Sequence, residues 1–232
     1  MVPLLLGLMP IQSVLDVGCG LGSFLAEFRR QGVADVTGIE GEWAREAALL
    51  IPTSHFRFHD LREPFDLGRR FDLLICLEVA EHLEESHAVP LVSTLARHGD
   101  LICFSGAIPG QGGTHHVNEQ WPDYWVNLFR TAGYDAFDVV RPAVSHDNRV
   151  ALYYALNTLV FARRGTKAYS QLEKRARPIV GRVPFRIPLR TRRTRHPIGA
   201  RIVCLANLIP SIRFREWYYY RIQKIRQAWQ QP

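Results

Sequence analysis

The chain has 232 residues, 47% of them hydrophobic, with a formal net charge of +7, enough for one full core plus an extension. The charge is divided: residues 1–162 carry 11 Lys and Arg against 20 Asp and Glu, and residues 163–232 carry 18 against 2, so an acidic body is joined to a basic tail. No apolar run reaches the roughly 18 residues of a membrane span, Cys19, Cys76, Cys103 and Cys204 show neither metal nor disulfide spacing, and no internal repeat is present.

In chain order, the opening MVPLLLGLMP is apolar but short and has no basic segment, which argues against a secretory signal. VLDVGCGLGSFL, Val14 to Leu25, reads as a strand near 13–17, a glycine turn and the start of a helix near 22–31. Glycine lets a backbone approach a ligand closely, and the free N–H groups of a helix start can receive an anionic group. A dinucleotide fingerprint would place its third glycine where Ser23 stands, which disfavours a nicotinamide cofactor. DVTGIE is a second strand near 35–40 ending in Glu40, a carboxylate placed to accept hydrogen bonds from both hydroxyls of a ribose. A helix near 42–50 follows, then a strand near 55–58 running into Asp60 and Leu61. The apolar strand near 71–77 runs into Glu78, Glu81 and His82, and a helix near 84–97 leads to a strand near 100–106.

The spacing D-x-G-x-G-x-G at Asp16, Gly18, Gly20 and Gly22, the acid at Glu40, FRFHDL and FDLLICLEVAEHL follow one another over the first half of the chain. In that order they resemble the class I S-adenosylmethionine-dependent methyltransferases. The resemblance implies an α/β fold with a doubly wound, mostly parallel seven-stranded sheet. It also implies S-adenosylmethionine as cofactor, S-adenosylhomocysteine as product, and cofactor contacts from Asp16, Gly18, Cys19, Gly20, Gly22, Glu40, Gly41, Asp60, Leu61 and Glu78. Asp60 and the Leu61 N–H would meet the adenine, and Glu78 would act through its backbone. Family members usually carry a helix before the first strand, so this beginning looks abbreviated.

Methyl transfer to a hydroxyl also needs a group to take the proton. His115 and His116 are the first choice, because they lie in a glycine-rich loop after the fifth strand, on the side where ligands bind. Similarity to sugar and small-molecule methyltransferases continues through HHVNEQWPDYW, with His116 slightly preferred as the base. Glu78, Glu81 and His82 are the second set, weighed against a role in capping the next helix. Asn118, Glu119 and Gln120 read as N-cap residues for a helix in WPDYWVNLFRTAG that stops at Gly133. His115, His116 and Glu119 are metal-ligating in type, but nothing fixes their geometry, so no metal ligand is assigned. YDAFDVV and NTLVFARR read as a last pair of strands making an antiparallel edge. The absence of an Asn/Asp-Pro-Pro-aromatic run after the fourth strand disfavours base methylation.

The domain expectation is a methyltransferase unit over 1–164 and a basic, partly helical extension over 165–232. Within the extension, GRVPFRIPLRTRRTR suits phosphates, and Phe214, Tyr218, Ile222, Ile225 and Trp229 form one helical stripe among arginines. That stripe could pack on the body or a second subunit, lie on an anionic membrane surface, or serve RNA binding, nucleic acid being the weaker of the two external partners. The sequence therefore describes a cytoplasmic enzyme, peripheral at a membrane if the tail binds lipid. It would methylate a hydroxyl of a sugar or other small-molecule or lipid-linked acceptor. RNA methylation and a non-catalytic S-adenosylmethionine-binding scaffold are the alternatives.

Overall fold

Strand interiors that are apolar at every position belong in a sheet covered on both faces, and three strands here are buried along their whole length. These are β1 (Ser13–Val17), β4 (Leu73–Leu77) and β5 (Leu101–Ser105). A computed structural model describes residues 1–181 and 183. The proline–arginine segment beyond 183, the aromatic stripe and Cys204 lie outside the described residues. The elements run α1 (Val2–Leu6), β1, α2 (Ser23–Arg30), β2 (Asp35–Glu40), β3 (Phe56–Phe58), β4, α3 (Ala88–His98) and β5. They continue with α4 (Pro122–Thr131), β6 (Tyr134–Phe137), α5 (Arg141–Val144), α6 (Leu152–Asn157), β7 (Leu159–Arg163) and α7 (Lys167–Glu173).

The seven strands form one sheet in the order β3-β2-β1-β4-β5-β7-β6, parallel except for β7, which is antiparallel to both its neighbours. This is the doubly wound, mostly parallel sheet anticipated above. One detail differs: β7 is inserted between β5 and β6, so the last strand of the sheet, β6, runs with the parallel set. Side chains alternate across the sheet as a two-residue period requires. Val14, Leu73, Ile75 and Cys103 face one core with Leu25 and Phe28 of α2, and with Ala168 and Leu172 of α7. Leu15, Leu74, Cys76, Ile102 and Phe104 face the other core, under Leu91 and Leu95 of α3 and Trp125 and Phe129 of α4.

Four local expectations are revised. A helix does precede the first strand: α1 lies before β1, and Val2, Leu5 and Leu8 enter the core. The helix expected near 42–50 is a 3-10 segment over Glu42–Glu46, because the chain turns extended at Ala47 and folds back until the Leu50 N–H donates to the Leu21 carbonyl (2.8 Å). The helix near 84–97 begins only at Ala88, after a separate 3-10 turn over Glu85–His87. Between the last two strands, where the sequence pattern marks no helix, the chain forms α5 and α6. Past residue 164, α7 packs in the same core as α2, and Arg175 donates to the Gly7 carbonyl.

The chain order reverses between β1 and β4, and ligands of such sheets bind outside the carboxyl ends at that switch point. Along that edge the sheet order sets out Asp60 after β3, Glu40 ending β2, Gly18 after β1, Glu78 after β4 and the 106–121 loop after β5.

Candidate active site

The glycine turn is fixed to β2: the Gly18 and Cys19 N–H groups donate to the Ile39 carbonyl (2.9 and 3.2 Å). Glu40 ties the same turn from the other side. Its carboxylate accepts from the N–H of Gly20 (2.7 Å) and Gly41 (2.8 Å), and from Trp43 Nε1 (3.2 Å). Three donors leave part of a carboxylate's roughly four lone-pair sites for a ligand hydroxyl. Gly18 is required by its φ of +78° and because a Cβ there would lie 2.2 Å from Val79 Cγ2. Gly20, at φ +54°, has open space where a Cβ would be, so the turn presents bare backbone to a cavity of about 600 Å³.

Of the expected cofactor contacts, Gly18, Gly20, Glu40, Gly41, Asp60, Leu61 and Glu78 line this cavity. Asp16, Cys19 and Gly22 lie outside that lining. Asp16 is 3% exposed at the end of β1, with Oδ2 lacking a hydrogen-bond partner. Burial first, and the Glu40 carboxylate second, hold its pKa well above the ordinary range. Cys19 packs its sulfur against Gly38, where a Cβ would meet it at 2.7 Å, and burial pushes the thiol pKa up. Gly22 caps α2 against Phe56 and Ile51. Asp60 is exposed and paired with Arg62 (2.5 Å), whose hydrogen bonds lower its pKa to about 2.

The cavity wall also includes Glu42, Trp43, Arg62, Val79, His82 and Leu83. Trp43 is 65% exposed; the available signal was a lone tryptophan three residues after the acid of β2. Carboxylates dominate the wall, and its one guanidinium, Arg62, is paired with Asp60. That electrostatic balance suits a hydroxyl-bearing, cationic ligand and opposes a pyrophosphate.

At the β4–β5 end, Glu78 adopts φ +56°, uncommon for a non-glycine residue. Its carboxylate accepts from Gln111 Nε2 (2.6 Å) and Asn157 Nδ2 (3.2 Å). His116 meets Glu119 through Nδ1 (3.1 Å) and sets its ring against the edge of His82, with centroids 5.0 Å apart. Thus His82 lines the cavity and His116 stands behind it. His115 is exposed at φ +58° and is not part of the wall. The capping expectation for 118–120 is corrected: the N-cap of α4 is Trp121, without a side-chain cap bond. Glu119 instead accepts from the N–H groups of Gly110 and Gly112 (2.7 and 2.8 Å), and Asn118 Oδ1 accepts from Gln120.

Glu81 is 1% exposed, and neither carboxylate oxygen has a hydrogen-bond partner. Burial first, then the neighbouring Glu78 carboxylate, pushes its pKa up to about 8. Its backbone carbonyl accepts from the N–H groups of Val117 and Asn118 (2.8 and 3.1 Å), which joins the loop carrying His116 to the turn carrying His82.

Residues 5–98 match a family model described as a methyltransferase domain. A dTDP-4-amino-2,3,4,6-tetradeoxy-D-glucose N,N-dimethyltransferase from Saccharopolyspora spinosa is 43% identical over 68 residues, 28% of this chain and 26% of that protein. A ubiquinone biosynthesis O-methyltransferase from Alkalilimnicola ehrlichii is 35% identical over 103 residues, 40% of each chain. The matched segments therefore span less than half the length of these curated relatives. Among solved structures, the sugar N-methyltransferase KedS8 from a Streptoalloteichus species shares the fold, with a TM-score of 0.53 and 18% identity over 70% of this chain and 84% of that one. The glycine turn, the acid at the end of β2 and the sheet order agree with these matches: residues 5–98 resemble a methyltransferase domain, and the described residues have the fold of the sugar N-methyltransferase.

Proposed function

We propose that the protein transfers a methyl group to a hydroxyl of a small molecule, with sugars the leading acceptor class. The observation that carries this reading is the position of His82, backed by His116 and Glu81, at the end of a carboxylate-lined cavity beside the glycine turn. A hydroxyl must shed its proton to receive a methyl, and an amine has less need of such a cluster. The relatives include both O- and N-methyltransferases, so the choice of oxygen rests on that cluster.

When bound, S-adenosylmethionine supplies a sulfonium methyl, whose transfer forms a bond to the acceptor atom, breaks the methyl carbon–sulfur bond and leaves S-adenosylhomocysteine. The residues of the chain divide the remaining work. In this reading Glu40 accepts from the ribose hydroxyls, and Asp60 and Leu61 meet the base. The bare backbone at Gly18 and Gly20 admits the amino-acid end, above Asp16. Glu78, held by Gln111 and Asn157, and Val79 close the cavity around the acceptor, so orientation and exclusion of water fall to them. His116, with Nδ1–H donating to Glu119, would leave Nε2 to take the proton, directly or through His82.

Incubating the full chain with S-adenosylmethionine and panels of sugars, phenols and amines tests this. S-adenosylhomocysteine release with a methylated hydroxyl supports the proposal. Methylation of amines alone would replace it, and cofactor binding without product on any acceptor would favour the scaffold reading.

No helix among the described residues is long and apolar enough to cross a membrane. From its charge alone, the extension over 165–232 is proposed to meet an anionic lipid surface. Salt-sensitive sedimentation of the full chain with anionic but not neutral vesicles is the expected result, and preferential binding to RNA would reassign it.

A further inference from the structure

Glu81 is unusual among the carboxylates of this protein. A buried carboxylate is normally paired or hydrogen-bonded, because removing it from water uncompensated costs several kcal/mol. Glu81 is 1% exposed with both oxygens unpartnered, on a 3-10 turn only three residues long, Ala80–His82. The groups that face it are two more carboxylates, Glu78 and Glu119, the backbone N–H groups of Glu81 itself and Ala107, and the imidazoles of His82 and His116. No ion pair to Glu81 occurs among the described residues. One ligand atom from each of Glu81, His82 and His116 lies within 4.8 Å of the other two.

We propose that Glu81, His82 and His116 hold a divalent transition-metal cation at the acceptor end of the cavity. Two imidazoles and one carboxylate are a donor set for manganese, iron, cobalt or zinc rather than for calcium or magnesium, which prefer oxygen throughout. Donor atoms sharing an ion at about 2.1 Å lie roughly 3–4 Å apart, so side-chain rotation of less than about 2 Å closes the set. The backbone already holds the two halves together through the Val117 and Asn118 bonds to the Glu81 carbonyl. Glu119, which contacts His116 Nδ1, would orient that ring from outside, as carboxylates commonly do for ligating histidines.

Three protein ligands leave open positions, the arrangement of a catalytic rather than a structural centre. Because His82 lines the cavity, those positions face the space proposed for the acceptor. With the cation bound, His82 and His116 are ligands and no longer bases, and the cation takes over their part: it would hold an acceptor oxygen and favour its deprotonated form, the proton leaving to solvent. Only this use of the site rests on the proposed methyl transfer; the binding of the cation does not.

The full chain, stripped with a chelator, is titrated with Mn²⁺, followed by loss of the free-ion paramagnetic resonance signal, and with Co²⁺, followed by visible absorption. S-adenosylmethionine affinity is measured on the same samples. We expect one cation per chain and at least tenfold weaker binding in Glu81→Gln and in His82→Asn, with cofactor affinity retained. Should Glu81→Gln fail to fold, His82→Asn decides, because its ring is exposed. Wild-type protein that binds the cofactor but neither cation overturns the proposal, as does cation binding that both variants leave intact. Failure of the methyl-transfer reading would look different: cation and cofactor would both bind, and no acceptor would be methylated.

Discussion

At the β2 end of the cavity the Glu40 carboxylate accepts three hydrogen bonds, from the glycine turn and from the segment just after β2, whereas in the turn after β4 the Glu81 carboxylate has no hydrogen-bond partner. The contrast extends beyond those two residues. Of the buried side-chain atoms without a partner among the described residues, only Asp16 Oδ2 lies at the glycine turn; the others belong to Glu81, Asn118, Trp125, Asn157 and Thr158. The non-glycine residues with positive φ among those described, Glu78 and His115, are also at the β5 end. Strain and unsatisfied groups collect at functional sites when the surrounding fold over-determines them. The end proposed for the nucleoside thus has its hydrogen bonds made apart from Asp16, and the end proposed for the acceptor holds most of the unpartnered groups.

Large effects are expected at both ends, and the first concerns the glycine turn. Gly18→Val places a branched side chain at φ +78° and drives it into Val79. A cost of about 1–3 kcal/mol would weaken S-adenosylmethionine binding about 5- to 150-fold by calorimetry. Wild-type affinity in this variant would mean that the turn does not carry the cofactor. His116→Ala probes the other end and should act on turnover alone. A fall of about 100-fold or more in kcat with cofactor affinity nearly unchanged is expected, and full activity would remove His116 from the mechanism.

The same contrast explains what the sequence could disclose. Gly18, Gly20 and Glu40 lie on two consecutive strand ends, so their spacing alone brings them together, and the strand pattern is legible because buried parallel strands are continuously apolar. The acceptor end is assembled from 78–82, 106–121 and 157, which only the folded chain juxtaposes. Nothing in AEHLEE distinguishes Glu81, which is buried, from Glu84, which is exposed. His115 and His116 are neighbours in sequence, yet only His116 turns inward, and Gly113 leaves room for its ring: a Cβ there would lie 2.2 Å from His116 Nε2. The failed helix near 42–50 has the same origin, since the tertiary bond from Leu50 to Leu21 overrides a local preference.

A smaller effect is expected for Glu40→Gln. The amide keeps the shape but turns its NH2 toward one of the backbone donors it should accept from, Gly20 or Gly41. Loss of a charge-assisted bond costs about 1.5–3 kcal/mol, so cofactor affinity should fall about tenfold or more. Equal affinity would show that Glu40 only braces the turn through groups the amide can still satisfy.

The smallest effect, and the one that most sharpens the comparison, belongs to Asp16→Asn. Asp16 is the single member of the nucleoside end that shares the unsatisfied character of the acceptor end. Burial and the Glu40 charge raise its folded pKa well above the ordinary 3.8. A raised folded pKa means that the carboxyl contributes stability below about 3.8, and that this contribution is lost as pH rises through the higher folded value. Replacing it with a neutral isostere should therefore raise the Tm of the ligand-free protein at neutral pH by about 2–4 °C, for a gain of about 1 kcal/mol. The advantage should shrink as the pH is lowered toward 4. If Asp16 is kept charged and buried for a cationic ligand, the same variant must bind S-adenosylmethionine more weakly even as it melts higher. A variant that gains stability without losing affinity would show that the buried acid serves no ligand, and the two ends would then differ only in how completely their hydrogen bonds are made.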